Sequence, residues 1–214
     1  MAFINRMNGQ DYIENTRLYL DYLEEHLENV RKAFNELSVI CKDMAWVSDD
    51  FTWHTLRVQV ENHDLSKFSA EEFTQYRARF YPVNKNDCKD DGFIKAIDHH
   101  IKSNHHHHET AKNFIDIVHM VIDWTAMGYK FGDTARQYYE KNKDRIRLSE
   151  DHKRFMYTIF DRIDGREHEM DPDQLDIDDK DNEGLGPVPD CFGQGDYACG
   201  SETCDWCPYE EDCI

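Results

Sequence analysis

The sequence predicts an all-α fold. Apolar residues recur at three- and four-residue intervals over most of residues 1–163, and no segment of useful length alternates apolar with polar as a half-buried strand would. Helix start and stop signals then divide that pattern into elements. The longest run spans about Gln10 to Lys42, with Tyr12, Ile13, Leu18, Leu20, Leu23 and Val30 among its apolar positions and charge on the other face. A second helix is expected from about Asp50 to Asn62, anchored by Phe51, Trp53, Leu56, Val58 and Val60. Ser69 followed by Glu72 fits a capping box that opens a helix reaching about Phe80. Pro82, Asn84 and Asn86 mark a loop. Another helix starts near Asp91 and carries His99 and His100. His105 to His108 are expected at the start of a helix running from about Thr110 to Met127, with Gly128 ending it. Two shorter helices, Asp133 to Asn142 and Ser149 to Ile163, complete the domain.

The chain has 214 residues, enough for one helical domain (1–163) and an appendage. From Asp164 onward 17 acidic residues face only Arg166 and Lys180, which is −15 of the net −19. Residues 164–189 therefore form an acidic linker, and 190–214 a cysteine-rich module. Such a tail repels phosphate polymers, which argues against polymeric nucleic acid as a partner. No apolar run approaches the roughly 20 residues needed to span a bilayer, and the first residues lack a secretory core. A cytoplasmic protein without membrane partners is the expectation.

The chemistry concentrates in histidines and carboxylates. His63 and Asp64 are adjacent, and one ion can use both only if the backbone holds a special geometry. Lys67 lies one helical turn later. His26 precedes them; His99, His100 and His105 to His108 follow, then Asp116, His119 and Asp123 at i, i+3 and i+7 on one helix face. Imidazole and carboxylate together are the ligand set of Zn, Mn, Fe and similar ions. His99 and His100 point about 100° apart, so only one is expected to face a metal. Asp123, between Ile122 and Trp124, needs a cationic partner if buried: a metal, a lysine or an arginine. Asp116, His119, His99 and His107 are candidates for orienting ligands or for alternate ligation. The bland alternatives are a capped helix end at His63-Asp64 and a boundary histidine at His26.

The order of these residues resembles the HD superfamily of metal-dependent phosphohydrolases, His63-Asp64 and Lys67 being similar to its HD-x-x-K signature. More closely, the segments EHLENV, HDLSKFSAEEF, HHIKSNHHHH and IDWTAMGYKFGDTARQYYEKNK, across roughly residues 20 to 160, resemble a phage and bacterial family described as a domain of unknown function. The resemblance implies an HD-like helical bundle. It implies His26, His63, Asp64 and Asp123 as one ligand set, with His100 and His106 completing a second. One or two divalent ions (Mn, Fe, Co, Ni or Zn) would be bound. That family carries other residue types at the positions of His105 and His108, so these look dispensable, and Glu at the position of His119, which argues against a direct catalytic role there.

The implied activity is hydrolysis of a small phosphorylated substrate, a nucleotide or another phosphate ester, in the host cytoplasm if the chain is phage-encoded. Asp64 and Lys67 would be catalytic, with Lys67, Lys130, Arg136 and Lys141 neutralising phosphate; for the last three, ordinary surface charge is the simpler reading. A di-iron oxygenase on the same fold, or a phage accessory protein with structural metal sites, is the alternative. Cys191, Cys204, Cys207 and Cys213, with Cys199 as a fifth, have the spacing of a closed Zn site, an iron–sulfur cluster being the alternative and a disulfide-bonded or unstructured tail the bland one. That module could hold a protein partner.

Overall fold

The computed structural model describes residues 9–84, 87 and 89–165. The described residues are helical, with no strand among them, as the periodicity predicts. The acidic linker beyond Gly165 and Cys191, Cys199, Cys204, Cys207 and Cys213 lie outside them.

Helix α1 (Gly9–Ile40) buries a stripe through Tyr19, Leu23, His26, Val30, Phe34 and Leu37, spaced by three and four. Ile13, Leu18 and Leu20 are exposed. Leu18 and Leu20 each stand about 100° around the axis from Tyr19, off the buried stripe. A short helix, α2 (Ala45–Ser48), was not evident in the periodicity; it buries Trp46. Asp49 then caps α3 (Asp50–Glu61), accepting the Thr52 N–H at 2.7 Å. A 3-10 turn, Leu65–Phe68, leads to α4 (Phe73–Phe80) and α5 (Asp90–Ser103).

The Ser69–Glu72 capping box does not form. Helix α4 begins at Phe73, the Ser69 hydroxyl is buried without a hydrogen bond, and the Glu72 carboxylate is turned onto two histidines of α5. A carboxylate wanted by two imidazoles inside the protein is not available to a helix terminus.

Helix α6 (Phe114–Phe131) is the centre of the fold, packed by α1, α3, α7 (Ala135–Asn142) and α8 (Glu150–Ile163). It starts later than the sequence suggests, because Asn113 and Asp116 form its capping box, so His105 to His108 lie in the turns before it. It also ends later: Gly128 is inside the helix, and Gly132 closes it at φ 87°. Gly128 is required for another reason. A Cβ there would stand 2.2 Å from the Asp133 carbonyl oxygen, so the chain folds back against bare backbone. Gly128→Ala is therefore expected to destabilise by about 1–3 kcal/mol, although alanine is the better helix former. Urea denaturation measures it; an unchanged midpoint would mean that the 132–134 turn moves aside freely.

Arg77 is buried and ties α4 to the following loop and to the start of α1. Its guanidinium donates to Asp87 at 2.7 Å, to the Tyr81 carbonyl at 3.0 Å and to the Tyr12 hydroxyl at 3.1 Å. The hydrogen bond from Arg77 holds the Asp87 carboxyl below its usual range. The stabilisation is thus present above the unfolded carboxyl pKa and lost as pH falls through the lower folded value. Asp87→Asn should cost about 2 kcal/mol at pH 7. The gap between wild type and variant should close as the solution is acidified below about pH 4, the ordinary aspartate value. A gap that persists in acid would assign the loss to packing instead.

Candidate metal centre

Helix α3 stops at Glu61, and the chain then makes the bend that the adjacent His and Asp require. Asp64 has φ 56° and ψ 20°, the only positive φ outside glycine among the described residues. Aspartate tolerates this left-handed region better than most residues, though at some cost. The bend aims neighbouring side chains at one point: His63 Nε2 and Asp64 Oδ2 are 3.4 Å apart.

Two more residues reach that point. His26 Nε2 from α1 lies 3.0 Å from His63 Nε2 and 3.4 Å from Asp64 Oδ2. Asp123 Oδ1 from α6 lies 3.4 Å from both imidazole nitrogens. An ion with ligands at about 2.1 Å separates neighbouring ligand atoms by about 3.0 Å in an octahedron and about 3.4 Å in a tetrahedron. The four groups are thus spaced as one ion would hold them.

The other oxygen of Asp64 meets a second group. His100 Nε2 at the end of α5 and His106 Nε2 from the following turn each lie 3.3 Å from Asp64 Oδ1. His107 joins them, one ligand atom from each of Asp64, His100, His106 and His107 lying within 4.8 Å of the others. Asp64 Oδ1 and His107 Nε2 are buried and make no hydrogen bond.

Supporting contacts fix the imidazoles. Glu72, fully buried, places Oε1 2.7 Å from His99 Nδ1 and Oε2 2.9 Å from His100 Nδ1. An ionised carboxylate only accepts, so His100 carries its proton on Nδ1 and turns the Nε2 lone pair toward Asp64. Two acceptors, Nε2 and Oδ1, then face each other at 3.3 Å, an arrangement that a cation between them resolves. His119 Nε2 lies 3.0 Å from His63 Nδ1 and steadies that ring in the same way.

Residues 15–164 match the family of unknown function DUF5662. The chain belongs to that family. The matched span contains every His, Asp and Glu of both groups. No curated protein and no solved structure matches the chain.

The electrostatics of this DUF5662 site prepare it for cations. Burial opposes charge on His63, but the Asp64 and Asp123 carboxylates overcome it and raise its pKa to about 9. A divalent ion would replace that proton. Burial holds His100, His106, His107 and His119 below the usual imidazole value, in the neutral form that ligates. Burial alone would raise the Asp64 and Asp123 carboxyls, yet the neighbouring imidazoles, and Lys67 at Asp64, hold both well below their ordinary range. Asp123 thus finds imidazole partners in His26 and His63.

Both groups, His63 excepted, line a cavity of about 260 Å³ together with Tyr22, Trp124, Met127, Phe131 and Tyr138. Lys67 reaches the floor and pairs with Asp64 Oδ2. The other expected cations are engaged elsewhere: Lys130 with Glu25, Arg136 with Asp161 and Asp164, and Lys141 with Asp133 at 2.8 Å. None of the three lines the cavity. Asp116, expected beside the ligands, instead caps α6, accepting the Lys112 and Asn113 N–H groups at 2.8 and 3.3 Å. His99 points away onto Glu72, His105 is exposed, and His108 pairs with Glu109. Sequence reasoning missed Glu72. The available signal was the pair His99-His100, whose Nδ1 protons need an acceptor if either ring ligates.

Proposed function

We propose that this chain is a metal-dependent phosphohydrolase of HD type acting on a nucleotide or another small phosphate ester. One observation carries the reading: the two oxygens of Asp64 are divided between two groups of imidazoles at the floor of an open cavity. His26, His63 and Asp123 would hold one ion, His100, His106 and His107 the other, with Asp64 shared. Ions bound there supply a water of lowered pKa and polarise a phosphoryl oxygen. The residues do the rest. Asp64, fixed by Lys67 and by its own backbone bend, keeps the two groups in register. Lys67 presents positive charge to the incoming phosphoryl group. The aromatic wall restricts bulk water. In the net reaction the water oxygen bonds to phosphorus, the ester P–O bond breaks, and the leaving oxygen takes a proton to become a hydroxyl.

The test uses protein purified without a polyhistidine tag and loaded in turn with Mn²⁺, Fe²⁺, Co²⁺, Ni²⁺ and Zn²⁺. Phosphate release from nucleotides and 4-nitrophenyl phosphate is measured beside a His63→Ala/Asp64→Ala variant. Release that the variant lacks supports the reading. A second reading has one specific observation in its favour: the three imidazoles His100, His106 and His107 suit iron as readily as zinc. A coloured iron protein that consumes oxygen and releases no phosphate would replace the hydrolase by a di-iron oxygenase.

A further inference from the structure

The cavity above the candidate centre has a composition that the centre does not explain. Its floor is polar and its wall aromatic: Trp124 and Tyr138 approach to 5.2 Å between ring centroids, with Phe131 and Tyr22 also lining it. Phe131 is 65% exposed and Tyr138 42% exposed, although each belongs to a helix with a buried side. Apolar rings left open beside a polar floor are ready to stack on a planar group. Charge limits the polar end of the ligand. Among the described residues, Lys67 is the only lysine or arginine that lines the cavity, and its ammonium is already paired with Asp64. Asp133 also lines the cavity, and its carboxylate is paired with Lys141 in an exposed ion pair. One phosphoryl group can be matched at the floor. Further phosphates would extend past Lys67 toward a wall of aromatic rings, where no other lysine or arginine among the described residues lines the cavity.

Resting on the phosphohydrolase reading, we infer that the substrate class is a phosphate monoester carrying a planar heteroaromatic ring, a nucleoside monophosphate, and that nucleoside di- and triphosphates are discriminated against. The ring stacks among Tyr138, Phe131 and Trp124 while the single phosphate meets Lys67 and the floor.

The test compares AMP, ADP, ATP and ribose 5-phosphate on the full metal-loaded chain. Both phosphate release and binding, by tryptophan fluorescence and calorimetry, are read. AMP should show kcat/KM and affinity at least about tenfold above ribose 5-phosphate, the scale of one stacked ring, and above ADP and ATP. Tyr138→Ser and Phe131→Ser should narrow the gap between AMP and ribose 5-phosphate, mainly through KM. Phe131 is exposed, so that variant tests the idea even if Tyr138→Ser folds poorly. If AMP binds no tighter than ribose 5-phosphate, or ATP is preferred, the inference is overturned whatever the turnover. If AMP binds in a Tyr138- or Phe131-dependent manner but no ester, 4-nitrophenyl phosphate included, is hydrolysed, the pocket assignment stands and the hydrolase reading falls.

Discussion

Asp64→Asn is expected to remove bound metal from both groups at once and to lower phosphate release at least about a thousandfold, equivalent to about 4 kcal/mol of barrier. Both carboxylate oxygens are committed, Oδ2 beside His26 and His63 and Oδ1 beside His100 and His106. Among the described residues, Asp64 is the one carboxylate with an oxygen beside each group. Asparagine is a suitable probe because it also tolerates the left-handed backbone at φ 56°. The substitution has a second consequence. Lys67 is nearly buried against Asp64, and burial of its ammonium is offset by that carboxylate. Left without its partner it should destabilise the metal-free protein by about 3 kcal/mol or more. Adding Lys67→Met should recover much of that stability without restoring metal. Elemental analysis of wild type and variant in parallel gives the answer, because any metal held by the cysteine-rich segment is common to both. If Asp64→Asn retained the wild-type metal content, the shared-carboxylate centre would be wrong.

Glu72→Gln should separate the two groups. Among the described residues the Glu72 carboxylate hydrogen-bonds to His99 and His100, so its effect should fall on the set containing His100 and spare His26, His63 and Asp123. Glutamine accepts through one oxygen and presents an NH₂ to the other imidazole, which disturbs the orientation of the His100 ring. Loss of such an outer hydrogen bond weakens metal binding by about 10- to 100-fold. Calorimetric metal titration should therefore show one site near wild-type affinity and one weakened by that factor. Equal weakening of both would mean that Glu72 acts through general packing, and a melting temperature lowered in step would support that.

The helices were legible because their signal is local. The stripe from Tyr19 to Leu37 and the apolar density of residues 114–131 follow from a repeat of 3.6 residues. Their ends were less legible. Gly128 looks like a stop signal, yet its missing side chain serves the approach of the Asp133 carbonyl, a contact absent from local sequence. Ser69 and Glu72 have the spacing of a capping box, but the Glu72 carboxylate is drawn to histidines 27 and 28 residues away. Local hydrogen-bonding preferences are weak, and buried partners override them.

By itself the sequence determined an all-α chain, the family to which it belongs, and which kinds of ligand atom it carries. Only the tertiary structure decided which of those atoms meet. Histidine and aspartate side chains are the same whether they face water or one another. Their convergence depends on α1, α5 and α6 each bringing a ligand to the Asp64 bend and on the Glu72 carboxylate fixing the His100 proton on Nδ1, while ion pairs with Glu25 and Asp161 keep Lys130 and Arg136 engaged away from the cavity. Those are long-range contacts, fixed by burial and charge pairing between distant segments, and no spacing along the chain encodes them.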